Sequence, residues 1–114
     1  MINLKPQIRV ALETLGCPVS PEYPSDIPKV PLITFYEATN QDISEADDEA
    51  TEALIEFYIH IWGEDTEMIE PLAQSVAKIM RELGFWRTFA ADDLSGSVKR
   101  KILRYTTTKE AEHG

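Results

Sequence analysis

Histidine, cysteine and serine are the side chains that most often carry acid-base or nucleophilic chemistry, and this sequence has few of them in a usable pattern. Neither of the two histidines, His60 and His113, has a catalytic partner nearby in the sequence. No serine lies in a G-x-S-x-G motif. Cys17 is the single cysteine, so it can form neither an intrachain disulfide nor a cysteine zinc cluster. We expect His60 to be a half-exposed strand residue without a catalytic or metal-binding role.

Carboxylates are abundant, but their spacing does not match a known type of site. The segment 40–52 contains Asp42, Glu45, Asp47, Asp48, Glu49 and Glu52. A calcium loop needs a turn glycine among its oxygen ligands, and no glycine occurs between Gly16 and Gly63. The glycines also form no phosphate-binding or dinucleotide-binding motif. The segment is typical of a solvated acidic loop, and the sequence predicts no catalytic residue, no metal and no cofactor.

The distribution of charge is more informative than any motif. The chain carries 20 acidic and 11 basic residues, a net charge of −9. Residues 30–77 contain twelve Asp or Glu and no Lys or Arg, whereas residues 78–109 contain eight Lys or Arg and three acids. The acidic surplus repels phosphate backbones and anionic membranes, and the sequence has no long apolar run and no apolar leader. We expect a soluble, unexported protein that does not bind nucleic acid sequence-specifically.

Two arrangements could bring the opposite charges together. Within one subunit, the basic last strand could lie beside the acidic loop and balance it. In a head-to-tail ring, the acidic part of one subunit could face the basic strand of the next, which would give specificity and register. The sequence alone favours neither arrangement. The candidate assembly contacts are Asp42, Glu45, Asp47, Asp48, Glu49, Glu52, Lys99, Arg100, Lys101 and Arg104.

The elements that must position these residues form one predicted α+β domain, because 114 residues is a typical length for a single domain. Apolar periodicity and turn residues divide the chain into consecutive segments. These are a helix at about 4–15, a proline-rich strap at 17–31, a strand at 32–38, an acidic loop at 40–52, a strand at 54–62, a long helix at about 66–83 and a C-terminal hairpin at about 85–108. The order α-β-β-α-β-β predicts a mainly antiparallel sheet of about four strands with two helices packed on it.

The strand at 54–62 shows the clearest alternation. Ile55, Phe57, Ile59 and Ile61 face one way, and the residues between them, Glu56, Tyr58, His60 and Trp62, face the other. One face is therefore expected to be core, and the other to meet solvent or a partner. The aromatic residues Tyr36, Tyr58, Trp62 and Trp86 could either pack into the core or form a partner surface.

Three segments carry a resemblance to a known family. They are Pro31-Leu32-Ile33-Thr34-Phe35-Tyr36-Glu37-Ala38-Thr39-Asn40, the step Leu83-Gly84-Phe85, and the closing strand Lys101-Ile102-Leu103-Arg104-Tyr105. In these segments and in the order of its elements, the chain resembles the small tail-completion, tail-terminator or head-to-tail joining proteins of long-tailed bacteriophages and prophages. The resemblance covers nearly the whole chain and is one of pattern.

The resemblance implies a virion structural protein, made in the host cytoplasm, that forms a ring, commonly of six subunits, at the head-proximal end of the tail. Such a ring caps the tail tube, contacts the head-connector proteins, and passes DNA through a central channel. An acidic channel wall would let the negatively charged DNA slide through without sticking. An alternative from another class is a monomeric acidic regulatory module that mimics DNA. A third is a small hydrolase with Asp92 and Asp93 near His60.

Overall fold

The computed structural model describes residues 1–21, 24, 28–43 and 52–110. Their elements are α1 (Lys5–Glu13), β1 (Val19–Pro21), β2 (Leu32–Ile43), β3 (Glu52–Gly63), α2 (Thr66–Glu82), β4 (Trp86–Asp93) and β5 (Lys99–Glu110). The five strands form one sheet in the order β1-β2-β3-β5-β4. The described part of the chain is elongated, with extents of 52 × 26 × 25 Å.

The core lies between one face of the sheet and the two helices, as the alternation in β3 predicts. Ile55, Phe57, Ile59 and Ile61 are fully buried on that face. Residues of both helices complete the same apolar cluster, among them Ile8, Leu12, Val76 and Met80. Burial of these side chains is the main favourable contribution to folding, at roughly 1.5–3 kcal/mol for each large apolar residue.

Local sequence explains both ends of α2. The Asp65 carboxylate accepts a hydrogen bond from the Met68 amide at 2.9 Å and caps the first turn. At the other end Gly84 has a φ of +88°, and the Phe85 amide donates to the Met80 carbonyl at 2.9 Å. This is the Schellman arrangement, which suits glycine because its left-handed backbone carries no Cβ penalty. The helix begins at Thr66 and runs through Pro71.

The prediction of a mainly antiparallel sheet of about four strands misses one strand: the sheet has five strands, and one of its four pairings is parallel. β1 lies within the proline-rich strap and pairs parallel to the start of β2. Pro21 can end this strand because an edge position does not require its missing N–H to bond. A three-residue strand that ends on a proline is too short to show a periodicity, so the sequence pattern could not reveal β1.

The boundaries of the predicted acidic loop are also corrected. β2 continues to Ile43 and β3 begins at Glu52, so both ends of the segment 40–52 belong to a long antiparallel pair of strands. Polar residues at a hairpin end keep their backbone hydrogen bonds while their side chains face water, and hydropathy therefore misses them. Within the described residues, neither helix is long and apolar enough to cross a membrane.

Candidate assembly surfaces

Two surfaces could take part in protein contacts, and the first is the sheet face that points away from the helices. Strand register places Tyr36 opposite Tyr58, and Trp62 opposite Arg100, on this face. His60 lies between the two aromatic residues of its own strand. We call Tyr36, Tyr58, His60, Trp62, Phe89, Arg100 and Arg104 the aromatic face. Tyr36, Tyr58 and Trp62 are half-buried and Trp86 is exposed, so none of these four aromatic residues belongs to the apolar core.

Four rings of the aromatic face, those of Tyr36, Tyr58, His60 and Trp62, contact one another in a continuous row. Tyr36 stacks on Tyr58 with ring centroids 5.4 Å apart, and His60 stacks on Trp62 at 6.2 Å. The Arg100 guanidinium lies over the Trp62 ring, 5.2 Å from its centroid. These contacts hold the side chains in fixed positions and reduce the entropy that a partner would have to remove on binding.

His60 is more deeply buried than the sequence suggests, and the expectation of a half-exposed residue is wrong. Only 2% of its surface is exposed, because the neighbouring rings of Tyr36, Tyr58 and Trp62 cover the imidazole. Burial, with a smaller contribution from the positive charge of Arg100, lowers the pKa of His60 from 6.5 to about 4. The imidazole is therefore neutral at pH 7.

The four predicted basic contacts on β5 bond within their own subunit. Lys101, whose side chain is only 15% exposed, bridges Glu70 of α2 at 2.7 Å and Asp92 of β4 at 2.8 Å. These two carboxylates raise the pKa of Lys101. Arg100 pairs with Asp93 at 2.8 Å.

The remaining two basic contacts are held by neighbouring elements as well. Arg104 lies 3.7 Å from the Glu56 carboxylate and donates to the Thr88 hydroxyl at 2.8 Å. The Lys99 ammonium donates to the carbonyl of Leu94 at 3.0 Å in the β4–β5 turn. None of these acceptors belongs to the segment 40–52.

Strand register separates the acidic segment from the start of β5. Glu52 pairs with Glu110 at one end of β3, and Gly63 pairs with Lys99 at the other. Eleven residues of extended strand span about 37 Å, so the end of the acidic segment and Lys99 lie at opposite ends of the sheet. The basic end of the last strand therefore does not lie beside the acidic segment of its own subunit. Asp42 and Glu52 are exposed strand residues, whereas Glu45, Asp47, Asp48 and Glu49 lie outside the described residues.

The second surface is a cleft where the C-terminal end of α2 meets β4 and β5. It has a volume of about 300 Å³ and is lined by Ala77, Arg81, Phe85, Trp86, Arg87 and Tyr105. The Schellman turn at Gly84 positions it, because the turn directs the chain from the helix into β4. Register then places Arg87 opposite Tyr105. We call this site the arginine cleft.

The charges and the phenol of the arginine cleft have no partners in the described part of the chain. Neither Arg81 nor Arg87 forms an ion pair with a described residue. Tyr105 is 2% exposed, and its hydroxyl is buried without a hydrogen-bond partner there. Burial raises the pKa of the phenol, and the charges of Arg87 and Arg81 oppose that rise. The sequence patterns did not predict this cleft. The one sequence feature that could have indicated it is a tyrosine at a core position of β5.

The residues of the hydrolase alternative are engaged elsewhere. Asp92 bonds Lys101 and Asp93 bonds Arg100, and the hydrogen bonds that Asp93 accepts from Ser95 and Arg100 lower its pKa to about 2. Across the described ranges, no group of three or more His, Cys, Asp or Glu side chains could hold a metal ion.

Comparison with known proteins gives a fold likeness. The chain is similar to a chain in a solved structure of the "virion of native gene transfer agent (GTA) particle". The TM-score is 0.59 at 15% sequence identity, over 90% of this chain and 85% of that chain. At this identity the likeness shows a shared fold. No family model matches the sequence, and no curated protein matches it.

Proposed function

We propose that this protein is a non-enzymatic structural subunit of a phage or phage-like virion, which forms a ring that caps the tail tube and helps to join tail to head. The observation that carries the proposal is the fold shared with a virion chain over 90% of the length. The order of elements, with a long helix ending at Leu83-Gly84-Phe85, agrees with the resemblance to tail-completion and tail-terminator proteins.

The position of the charges supports head-to-tail contacts. Asp42 lies at the end of β2, and β1 pairs only with Ile33–Phe35, which leaves the rest of that side of β2 uncovered by a described strand. The arginine cleft lies beside β4, the opposite edge of the sheet. A heterologous contact joins two different surfaces of the same molecule, and it closes into a ring when the rotation between neighbours allows. Acidic and basic surfaces on opposite edges meet this requirement.

The aromatic face supports an assembly role as well. Aromatic residues and arginine are enriched in interface cores and carry much of the binding energy when a partner covers them. Phe89 remains 44% exposed on this face, beside the guanidinium of Arg104. The sheet thus presents a broad, preorganised surface that neither helix covers.

The mass of the purified protein, measured by light scattering over a range of protein and salt concentrations, tests the ring. We expect a defined oligomer whose electron micrographs show closed rings with a central hole. A neutralised variant, in which Asp42, Glu45, Asp47, Asp48, Glu49 and Glu52 become the matching amides, should dissociate at protein concentrations at which the wild type is assembled. Lys99 and Lys101 are poor choices for this test, because their substitution would also break contacts inside the subunit.

Substitution of acids outside the segment is the matched control. Glu13→Gln and Glu64→Gln remove charge from exposed side chains, and assembly should be unchanged. A monomer at every concentration, combined with salt-sensitive binding to a basic protein, would refute the ring and favour the acidic regulatory module.

A further inference from the structure

The arginine cleft has the chemistry of a carboxylate receptor. Two arginines, Arg81 and Arg87, line it, and their charges act on the Tyr105 phenol. An arginine guanidinium binds a carboxylate through paired N–H donors. Phe85 and Ala77 form an apolar part of the cleft wall, which suits the methylene groups of an acidic side chain. The Lys109 ammonium lies beside Gly84, 3.6 Å from the position that a Cβ of residue 84 would occupy. The rim of the cleft is therefore also basic.

The buried hydroxyl of Tyr105 is the observation that points to a ligand. Buried polar groups in folded proteins nearly always have a hydrogen-bond partner, and this hydroxyl has none among the described residues. A phenol can donate one hydrogen bond, and a carboxylate is an acceptor that the two arginines would also attract. One carboxylate oxygen would accept a hydrogen bond from the hydroxyl, and the single negative charge of the carboxylate would offset part of the positive charge of the two arginines.

We propose that the arginine cleft binds a carboxylate side chain from the acidic segment 40–52 of a second copy of this chain. The inference rests on the proposed ring, because a neighbouring subunit must supply the segment. Two observations select this occupant. The segment provides six carboxylates on a chain whose overall charge is −9, and it starts at the sheet edge opposite the cleft. The basic residues of β5 from Lys99 to Arg104 bond within their own subunit, whereas Arg81 and Arg87 of the cleft form no ion pair with a described residue.

Peptide binding tests the cleft without requiring a ring. The probe is a blocked peptide with the sequence of residues 41–49, and the control peptide has every Asp and Glu replaced by Asn and Gln. The receptor is the full-length neutralised variant, whose own segment cannot occupy the cleft of a neighbour. Calorimetric titration at low salt should show saturable binding of the acidic peptide, weakened at least tenfold by 0.5 M NaCl, and no binding of the amide peptide.

Substitutions in the receptor then locate the binding site. Arg81→Gln and Arg87→Gln should each weaken peptide binding about tenfold, whereas Arg9→Gln on α1 removes the same charge elsewhere and should leave it unchanged. Tyr105→Phe should weaken binding several-fold while the melting temperature stays equal or rises, because the lost hydroxyl has no described partner in the free subunit. A purely structural tyrosine would instead lower the melting temperature without changing peptide affinity.

The outcomes for the cleft and for the ring are separate. Absence of saturable binding, equal binding of the two peptides, or binding unaffected by both arginine substitutions would overturn the carboxylate site, even if the wild type forms rings. Peptide binding that depends on Arg81 and Arg87 would support the site even if light scattering shows that the wild type never assembles alone, a result that would count against the ring.

Discussion

Acidification should destabilise this protein through His60, and the size of the effect follows from the structure. In the folded state the pKa of His60 is about 4, below its usual value of 6.5. Between pH 4 and pH 6.5 the imidazole of the unfolded chain therefore binds a proton, and that of the folded chain does not. Stability contributed by the neutral imidazole is therefore complete above about pH 6.5 and is lost as the pH falls toward 4.

Linkage gives the magnitude. A shift from 6.5 to about 4 corresponds to an upper figure of about 3 kcal/mol when the loss is complete, and between pH 7 and pH 5 it predicts about 2 kcal/mol. For a domain of this length, 2 kcal/mol lowers the melting temperature by roughly 8 °C. Asp93 does not obscure the effect of His60 between pH 7 and pH 5. Its pKa is about 2, so the stability that its ionised carboxylate contributes is lost only at lower pH.

Urea unfolding of the wild type and of His60→Gln, at pH 7 and at pH 5, measures the contribution of His60 to the pH dependence of the unfolding free energy. The substitution changes the baseline stability by removing ring contacts with Tyr58 and Trp62, so the informative quantity is the change in unfolding free energy between the two pH values. The wild type should lose about 2 kcal/mol more than the variant over this interval. His113→Gln is the matched control and should behave as the wild type. Equal pH dependence in wild type and His60→Gln would refute the reasoning.

Two further substitutions test local structure by the same unfolding assay. Asp65→Ala removes the carboxylate that accepts from the Met68 amide and should cost about 1 kcal/mol; an unchanged midpoint would contradict the capping role. Gly63→Ala would place a Cβ 2.7 Å from a side-chain carbon of buried Ile69 and should cost about 1–3 kcal/mol. Gly96→Ala in the β4–β5 turn, whose nearest contact is 3.4 Å away, is its control, and equal losses at both sites would show that the contact is not decisive.

Local patterns in the sequence determined much of the fold. The alternation from Ile55 to Ile61 fixed a strand with one buried face, since a period of two places every second side chain on the same side. Asp65 and Gly84 marked the two ends of α2 through capping chemistry that depends on a few neighbouring residues. The α+β class, the two helices and the C-terminal hairpin followed from signals of this kind.

Tertiary structure alone decided which charges and polar groups meet. Lys101, one of the candidate assembly contacts, bonds acids from two other elements of its own subunit, because strand pairing and helix packing bring Glu70 and Asp92 to it across the fold. The arginine cleft joins residues from α2, β4 and β5 whose side chains share no local pattern. The burial of His60 likewise depends on rings from two strands. Such properties arise from contacts between distant parts of the chain, which hydrophobic periodicity and capping residues do not encode.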